Sequence, residues 1–227
     1  MVPRAMFGWL RHLPDRMLHR PRRRAAIRTL QEGLRPSHIL ILCHGNICRS
    51  PFAAELLQRQ LLRSRVAVRI RSGGFLASGR GAPPEAQEAA SYWNVDLTAH
   101  HSRHVSPELI RGADLIVVME PVQRWVVAAR FGRPMRDVLV LGDLDLRPAP
   151  TRAIPDPWGR PPAAYEGSYA RIARCIAVLA ALLRRLPAGA AASSERANHW
   201  PTRTNGCSAS EIASISPGFQ SANLKSS

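Results

Sequence analysis

Apolar positions along the chain fall into two patterns, and their alternation defines a fold class. His38 to Cys43 is a continuous apolar run, as expected of a parallel strand buried on both faces. Phe52, Ala53, Leu56, Leu57 and Leu61 follow at helical spacing, with Pro51 suited to the first turn. Val66 to Ser72 alternates apolar and basic residues, which predicts a strand at or near a sheet edge, closed by a turn at Ser72-Gly73-Gly74. Helices are expected over Pro84–Trp93, from Ser106-Pro107 onward with Ser106 as cap, and over Pro121–Phe131. Strands are expected over Ala113–Met119 and Asp137–Leu141. A long helix over Ala163–Leu186 places Ile172, Ile176, Leu179 and Leu183 on one face and ends at Pro187. Strands alternating with helices imply parallel connections, hence an α/β fold: a three-layer open sheet of about four parallel strands with helices on both faces. Ligands of such sheets bind at the C-terminal ends of the strands, where the loop after Cys43 lies.

The same pattern divides the chain into an extension (1–36), one domain (37–186) and a tail (187–227). In the extension Met6, Trp9, Leu10, Leu13 and Met17 recur at spacings of three and four among arginines, a short amphipathic pattern. Pro3, Pro14 and Pro21 are expected to limit any helix there. The stretch lacks the uninterrupted apolar core of a secretory signal. Peripheral contact with an anionic membrane is one use of such a segment; docking on its own domain, or poor order, is the expectation preferred. The tail is rich in Ala, Ser and Asn without apolar periodicity and reads as disordered.

Charge and cysteines change this picture only slightly. The net charge is +16, of which residues 1–36 supply +7, residues 37–186 +8 and the tail +1. Lys225 is the single lysine, so arginine serves as the general surface cation, and no aromatic-interleaved motif accompanies the Arg20–Arg24 cluster. Nucleic acid is therefore not expected as a partner. Cys43, Cys48, Cys175 and Cys207 are too sparse for a disulfide scaffold and fit a reducing, cytoplasmic setting. No apolar run approaches the roughly 18 residues of a membrane span, so a soluble protein is expected.

The candidate chemistry lies in Cys43-His44-Gly45-Asn46-Ile47-Cys48-Arg49-Ser50-Pro51. A strand delivers a thiol to a short loop whose amides can close around an anion, and Arg49 can curl back over it. This stretch, with Asp156-Pro157-Trp158 more than a hundred residues later, resembles the signature of the low-molecular-weight protein-tyrosine phosphatases over about residues 37 to 186. The resemblance implies a tyrosine-specific phosphomonoesterase that needs no metal or cofactor. Cys43 attacks as thiolate, a form favoured by loop amides, the helix N-terminus and Arg49. Arg49 grips phosphate in two parallel bonds, and Asp156 protonates the leaving phenol and then activates water. Trp158 forms an aromatic wall, and the amides of His44, Gly45, Ile47 and Cys48 line the anion site. Ser50 bonds the sulfur, while Asn46, Ser72 and His100 hold the loop in shape. Cys48 is expected to form a protective disulfide with Cys43 under oxidation.

Other readings remain beside these. Asp143 and Asp145 compete with Asp156 for the acid role, and His100 sits in a histidine-rich loop where a solvated ring is as plausible. Phe75 or Leu76 is the available aromatic or apolar rim residue after Ser72, and Glu120 stands where an aspartate is more usual in the family. Histidines 100, 101 and 104 have no cysteine or carboxylate partners at ligand spacing, so no metal site is expected. Arsenate reductases share the fold and the loop; no cysteine lies between Cys48 and Cys175 to relay oxidation, which leaves only an external thiol for that alternative. The second alternative is a phosphoprotein-binding module tethered by the basic extension. The partner implied by the resemblance is a tyrosine-phosphorylated protein, in bacteria often a tyrosine autokinase, acted on by a monomer.

Overall fold

The computed structural model describes residues 4–32 and 35–187, for residues 4–14 as backbone only. The tail expectation and Cys207 lie outside the described residues. Four strands, β1 (His38–Cys43), β2 (Arg69–Gly74), β3 (Leu115–Val118) and β4 (Val138–Val140), form one parallel sheet in the order β2-β1-β3-β4. β1 is central and buried, and its last residue, Cys43, pairs with Gly74 at the end of β2. The edge position of β2 agrees with its alternating pattern, although the strand begins at Arg69 and runs through Gly73 and Gly74, where a turn was expected. The reason lies in the neighbouring phosphate loop: a Cβ on Gly74 would stand 2.8 Å from the Asn46 amide and 2.9 Å from the His44 carbonyl oxygen. Only glycine lets the strand continue beneath that loop.

Helices cover both faces. On one, α2 (Arg49–Leu62), α3 (Pro84–Ser91) and α6 (Pro162–Arg185) pack with Ile39, Ile41, Cys43, Val117 and Leu139. On the other, Leu40, Leu42, Ile116, Val118 and Val140 meet Ile110 of α4 (Pro107–Arg111) and Val127 of α5 (Pro121–Phe131). The alternation of β1 side chains between two apolar cores is what made its sequence uninterruptedly apolar. α6 buries Tyr165, Tyr169, Ile172, Ile176, Leu179 and Leu183 at spacings of three and four. Removing one such large side chain costs on the order of 2–5 kcal/mol.

The extension departs from expectation. α1 (Arg4–Gln31) is a 28-residue helix that continues through Pro14 and Pro21. Proline at 21 removes the bond to the Met17 carbonyl, and it does so on the exposed side of the helix, where Met17 is 70% exposed. The other side of the helix supports the arrangement: His19 and Leu30 are buried, and Ala26 and Ile27 pack against the α2/α6 core. Beyond α1, Arg35 donates to the carbonyls of Leu183 (2.8 Å) and Leu186 (2.5 Å), capping the C-terminal end of α6 with a cation. Among the described residues no helix is long and apolar enough to cross a membrane.

Candidate active site

β1 ends at Cys43, and α2 starts at Arg49, so five residues must turn the chain through the phosphate loop. Asn46 takes the left-handed conformation, φ 53°, which asparagine tolerates better than most residues. That twist turns the Asn46 amide onto the Cys43 sulfur at 3.3 Å. Its side chain then braces the loop from both ends: Nδ2 donates to Ser50 Oγ (2.9 Å), and Oδ1 accepts the Arg103 amide (2.8 Å). Ser50 Oγ lies 3.0 Å from Cys43 Sγ and 3.3 Å from the Gly73 carbonyl oxygen. Because it already accepts from Asn46, its single proton is free for the sulfur or that carbonyl.

His100 Nε2 is 2.7 Å from the Asn46 carbonyl oxygen, which can only accept, so Nε2 carries the proton. Burial pushes the His100 pKa below its ordinary value, against the opposing pull of the Asn46 bond. Thus Asn46, Ser50 and His100 come together as expected. Ser72 does not: it sits on β2 opposite Ile41, and the sheet contributes the Gly73 carbonyl in place of its hydroxyl.

Arg49 is 1% exposed. Its Nη1 donates to Glu120 Oε1 (2.7 Å) and to the Ile154 carbonyl (2.9 Å), while Nη2 meets Asp156 Oδ2. Nε is buried without a protein partner. Burial opposes the charge on this guanidinium, but the neighbouring Cys43, Asp156 and Glu120 more than reverse that effect and raise its pKa. Two anchors on one side therefore leave Nε and Nη2 as an edge suited to two parallel bonds with an anion, with the Asp156 carboxylate lying on part of it. Glu120 is itself held by Gln123 Nε2 (3.2 Å), so this family-atypical residue acts as the buttress of the arginine.

Three aspartates were candidates for the acid, and their partners separate them. Asp143 is paired with Arg152, and Asp145 is fully buried between Arg171 and Arg174. Asp156 is 38% exposed and meets Arg49. Its Oδ1 accepts the Trp158 amide (3.3 Å), which turns the indole outward, 60% exposed, with the Arg80 guanidinium 5.8 Å above the ring. Arg80 Nη1 also stands 3.8 Å from where a Gly45 Cβ would project, so it borders the phosphate loop. Phe75, a candidate rim residue, packs instead against the α4/α5 core.

Cys48 caps α2 and is buried; desolvation, then Asp156 and Cys43, push its thiol up to about 12. Its carbonyl accepts the Tyr169 hydroxyl at 3.1 Å, and Tyr169 stacks on Phe52 at 4.0 Å. Cys175 is buried in α6 and likewise pushed to about 12, chiefly by desolvation. Glu120, Tyr169, Arg171 and Arg80 escaped the sequence reading of roles. For Tyr169 the helical spacing from Ile172 and Ile176 was a usable signal of burial; the others act through partners distant in sequence.

A parallel α/β sheet that delivers a cysteine into a tight loop, beneath a buried arginine and beside an aspartate, defines a cysteine-dependent phosphoryl-transfer protein. Residues 38–192 match the family described as low molecular weight phosphotyrosine protein phosphatase. The chain belongs to that family and is an enzyme, a phosphatase. It is 37% identical over 139 residues to the low molecular weight protein-tyrosine-phosphatase Wzb of Salmonella typhi, a match covering 60% of this chain and 87% of that one. It is 36% identical over 104 residues to a protein-arginine-phosphatase of Bacillus subtilis, covering 45% and 69%. The solved structure of Vibrio vulnificus Wzb in complex with benzylphosphonate superimposes with a TM-score of 0.57 at 27% identity, covering 64% of this chain and 97% of that one.

Proposed function

We propose that the chain hydrolyses phosphotyrosine in proteins through a phosphocysteine on Cys43. The observation that carries this reading is the Arg49 edge: a buried guanidinium with Nε unpartnered and Nη2 on a displaceable carboxylate, close enough to Cys43 to feel its charge. Phosphate oxygens take Nε and Nη2 and the loop amides of His44, Gly45, Ile47 and Cys48, the Asn46 amide being held by the Cys43 sulfur. The Asp156 carboxylate, displaced from Arg49 by the phosphate, takes a proton from solvent and turns toward the leaving oxygen. Cys43 Sγ forms the bond to phosphorus, the bond to the phenolic oxygen breaks, and Asp156 gives that oxygen its proton. Asp156 then takes a proton from water as the water attacks phosphorus, releasing inorganic phosphate and the Cys43 thiolate, which Ser50 stabilises as leaving group.

Relatives include both tyrosine and arginine phosphatases, and the rim favours tyrosine. Trp158 offers a flat exposed face to a neutral phenyl ring, and Arg80 beside it repels a guanidinium-bearing substrate. A tyrosine-phosphorylated protein, a tyrosine autokinase among the candidates, is the partner proposed. Cys48 is proposed as the resolving thiol once a peroxide has oxidised the Cys43 thiolate to a sulfenic acid: the two sulfurs join with loss of water, and because burial holds Cys48 as a thiol near neutrality the sulfenic acid should precede the disulfide.

The test is steady-state hydrolysis of phosphotyrosine and phosphoarginine peptides with chelator present. Phosphotyrosine should be preferred, and Cys43→Ser should lower turnover by about 10³-fold or more. Preference for phosphoarginine, or turnover surviving in Cys43→Ser, would overturn the assignment.

A further inference from the structure

We propose that α1, which precedes the family-matched residues, is a built-in positioning element for the loop that carries Asp156, acting through the hydrogen bond from His19 to the Asp145 carbonyl. This rests on the reading of Asp156 as general acid. The two partners are 126 residues apart in sequence, and His19 Nε2 lies 3.0 Å from the carbonyl oxygen, in a buried setting. The acceptor fixes the tautomer: a carbonyl cannot donate, so Nε2 carries the hydrogen.

Asp145 is held at each of its other polar atoms. Oδ2 accepts from Arg171 Nε (3.0 Å) and Arg174 Nη2 (3.1 Å), and Oδ1 from Arg174 Nε (3.1 Å) and the Arg147 amide (3.2 Å). Its own amide donates to the Gly142 carbonyl (3.3 Å). Arg171 then reaches across the loop and donates to the carbonyls of Thr151 and Ala153, both at 2.7 Å. The next residue, Ile154, is tied to the Met119 carbonyl through its amide (2.9 Å) and to Arg49 through its carbonyl, and Ser168 holds the Pro155 carbonyl (3.1 Å). Asp156 follows directly. The displacement of Asp145 would thus be passed through Arg171 to the backbone three residues before the acid.

A second line joins the same elements. Arg152, whose pKa is raised chiefly by its hydrogen bond to Asp143, also feels the weaker attraction of Asp15 of α1, itself paired with Arg22 at 2.5 Å. Leu30 at the far end of α1 and Arg35 just beyond it bind the helix and its successor to the α2/α6 core and the end of α6. α1 is therefore anchored at its middle to the start of the acid loop and at its C-terminal end to the α2/α6 core, and its hydrogen bond to that loop's backbone is buried. A carbonyl deep in a charged cluster keeps its place only with a donor, because leaving it unpaired carries the full desolvation penalty.

The experiment compares kcat/KM for phenyl phosphate, a poor leaving group, with that for p-nitrophenyl phosphate in the full chain. His19→Ala should lower the phenyl phosphate value about tenfold, within the roughly 10²-fold that small misplacements cost, and the p-nitrophenyl value by about twofold at most. His19→Gln, whose amide can still donate, should restore most of the loss; His19→Asn, too short to reach, should not. The Gln and Asn pair carries the test if the alanine variant does not fold. Equal losses on both substrates, or no loss, in His19→Ala or His19→Asn would overturn the positioning role. Asp156→Ala serves as control: if it shows no dependence on leaving group, the general-acid reading falls, whereas dependence there without dependence at His19 defeats this inference alone.

Discussion

Residues 43–51 and residues 141–156 each present a reactive group to the same point, and their support comes from different distances. In the phosphate loop the bonds among Cys43, Asn46 and Ser50 at the sulfur span at most seven residues, a strand and a helix clamp the ends, and His100, Arg103 and Tyr169 only brace its backbone from outside. In the acid loop the structure is imported: Arg171, Arg174, Ser168, Arg49, Met119 and His19 all reach in from other elements. Both loops depend on one glycine for close approach. Gly74 admits the Asn46 backbone, and a Cβ on Gly142 would lie 2.0 Å from the Arg152 carbonyl oxygen. The lesson is that an anion cradle needs fixed local backbone, while an acid that must leave Arg49 and return can be set on a loop stiffened from outside.

The largest effect on this comparison should come from Arg171→Met. It removes one partner of a fully buried aspartate and orphans two carbonyls, and breaking such a pair costs about 3 kcal/mol or more. Urea denaturation should show the loss, and amides of residues 142–156 should lose hydrogen-exchange protection ahead of those in 43–51. Equal loss in both loops would mean that they are not separately supported. Asn46→Ala should cost less, about 1–2 kcal/mol, because it deletes two hydrogen bonds and leaves alanine in a left-handed conformation. Here exchange should rise first in the phosphate loop, the reverse of the Arg171 result.

The smallest effect is a pH dependence that distinguishes the two. His100 has its pKa depressed by burial, so between its folded value and 6.5 the unfolded chain binds more protons. Its contribution is fully present above 6.5 and declines as pH falls through that window. Asp145 also has its pKa lowered, burial being outweighed by Arg174, Arg147 and Arg171, so its contribution persists above 3.8 and is lost only in stronger acid. Thermal unfolding from pH 7.5 to 5 should therefore fall more steeply in the wild type than in His100→Gln. Parallel curves would remove His100 from the account.

Legibility in the sequence follows the same division. The fold was readable because β1, α2 and α5 carry local patterns, and Pro121–Phe131 appears with the expected bounds. Cys43, Asn46, Arg49 and Ser50 were readable because nine consecutive residues contain the reactive groups and the bonds that hold the sulfur. Asp156 could be named but not separated from Asp143 and Asp145, since only the arginines of α6 and Arg152 distinguish structural from chemical aspartates. His19 gave no signal, and Glu120 stood out only as a departure from the family without a role, because each works through a partner more than 70 residues away. The length of α1 was underestimated because the cost of proline was weighed without the packing that offsets it.

The measurement that tests the account most directly is the leaving-group dependence of kcat/KM in Asp156→Ala. Against a series of aryl phosphates from phenyl to p-nitrophenyl, the variant should lose about 10²-fold or more on phenyl phosphate and far less on p-nitrophenyl phosphate, within the usual range for general acid catalysis. The slope against phenol pKa should steepen relative to wild type. A uniform loss across the series, with an unchanged slope, would contradict the assignment of Asp156 as the proton donor and with it the division of labour between the two loops.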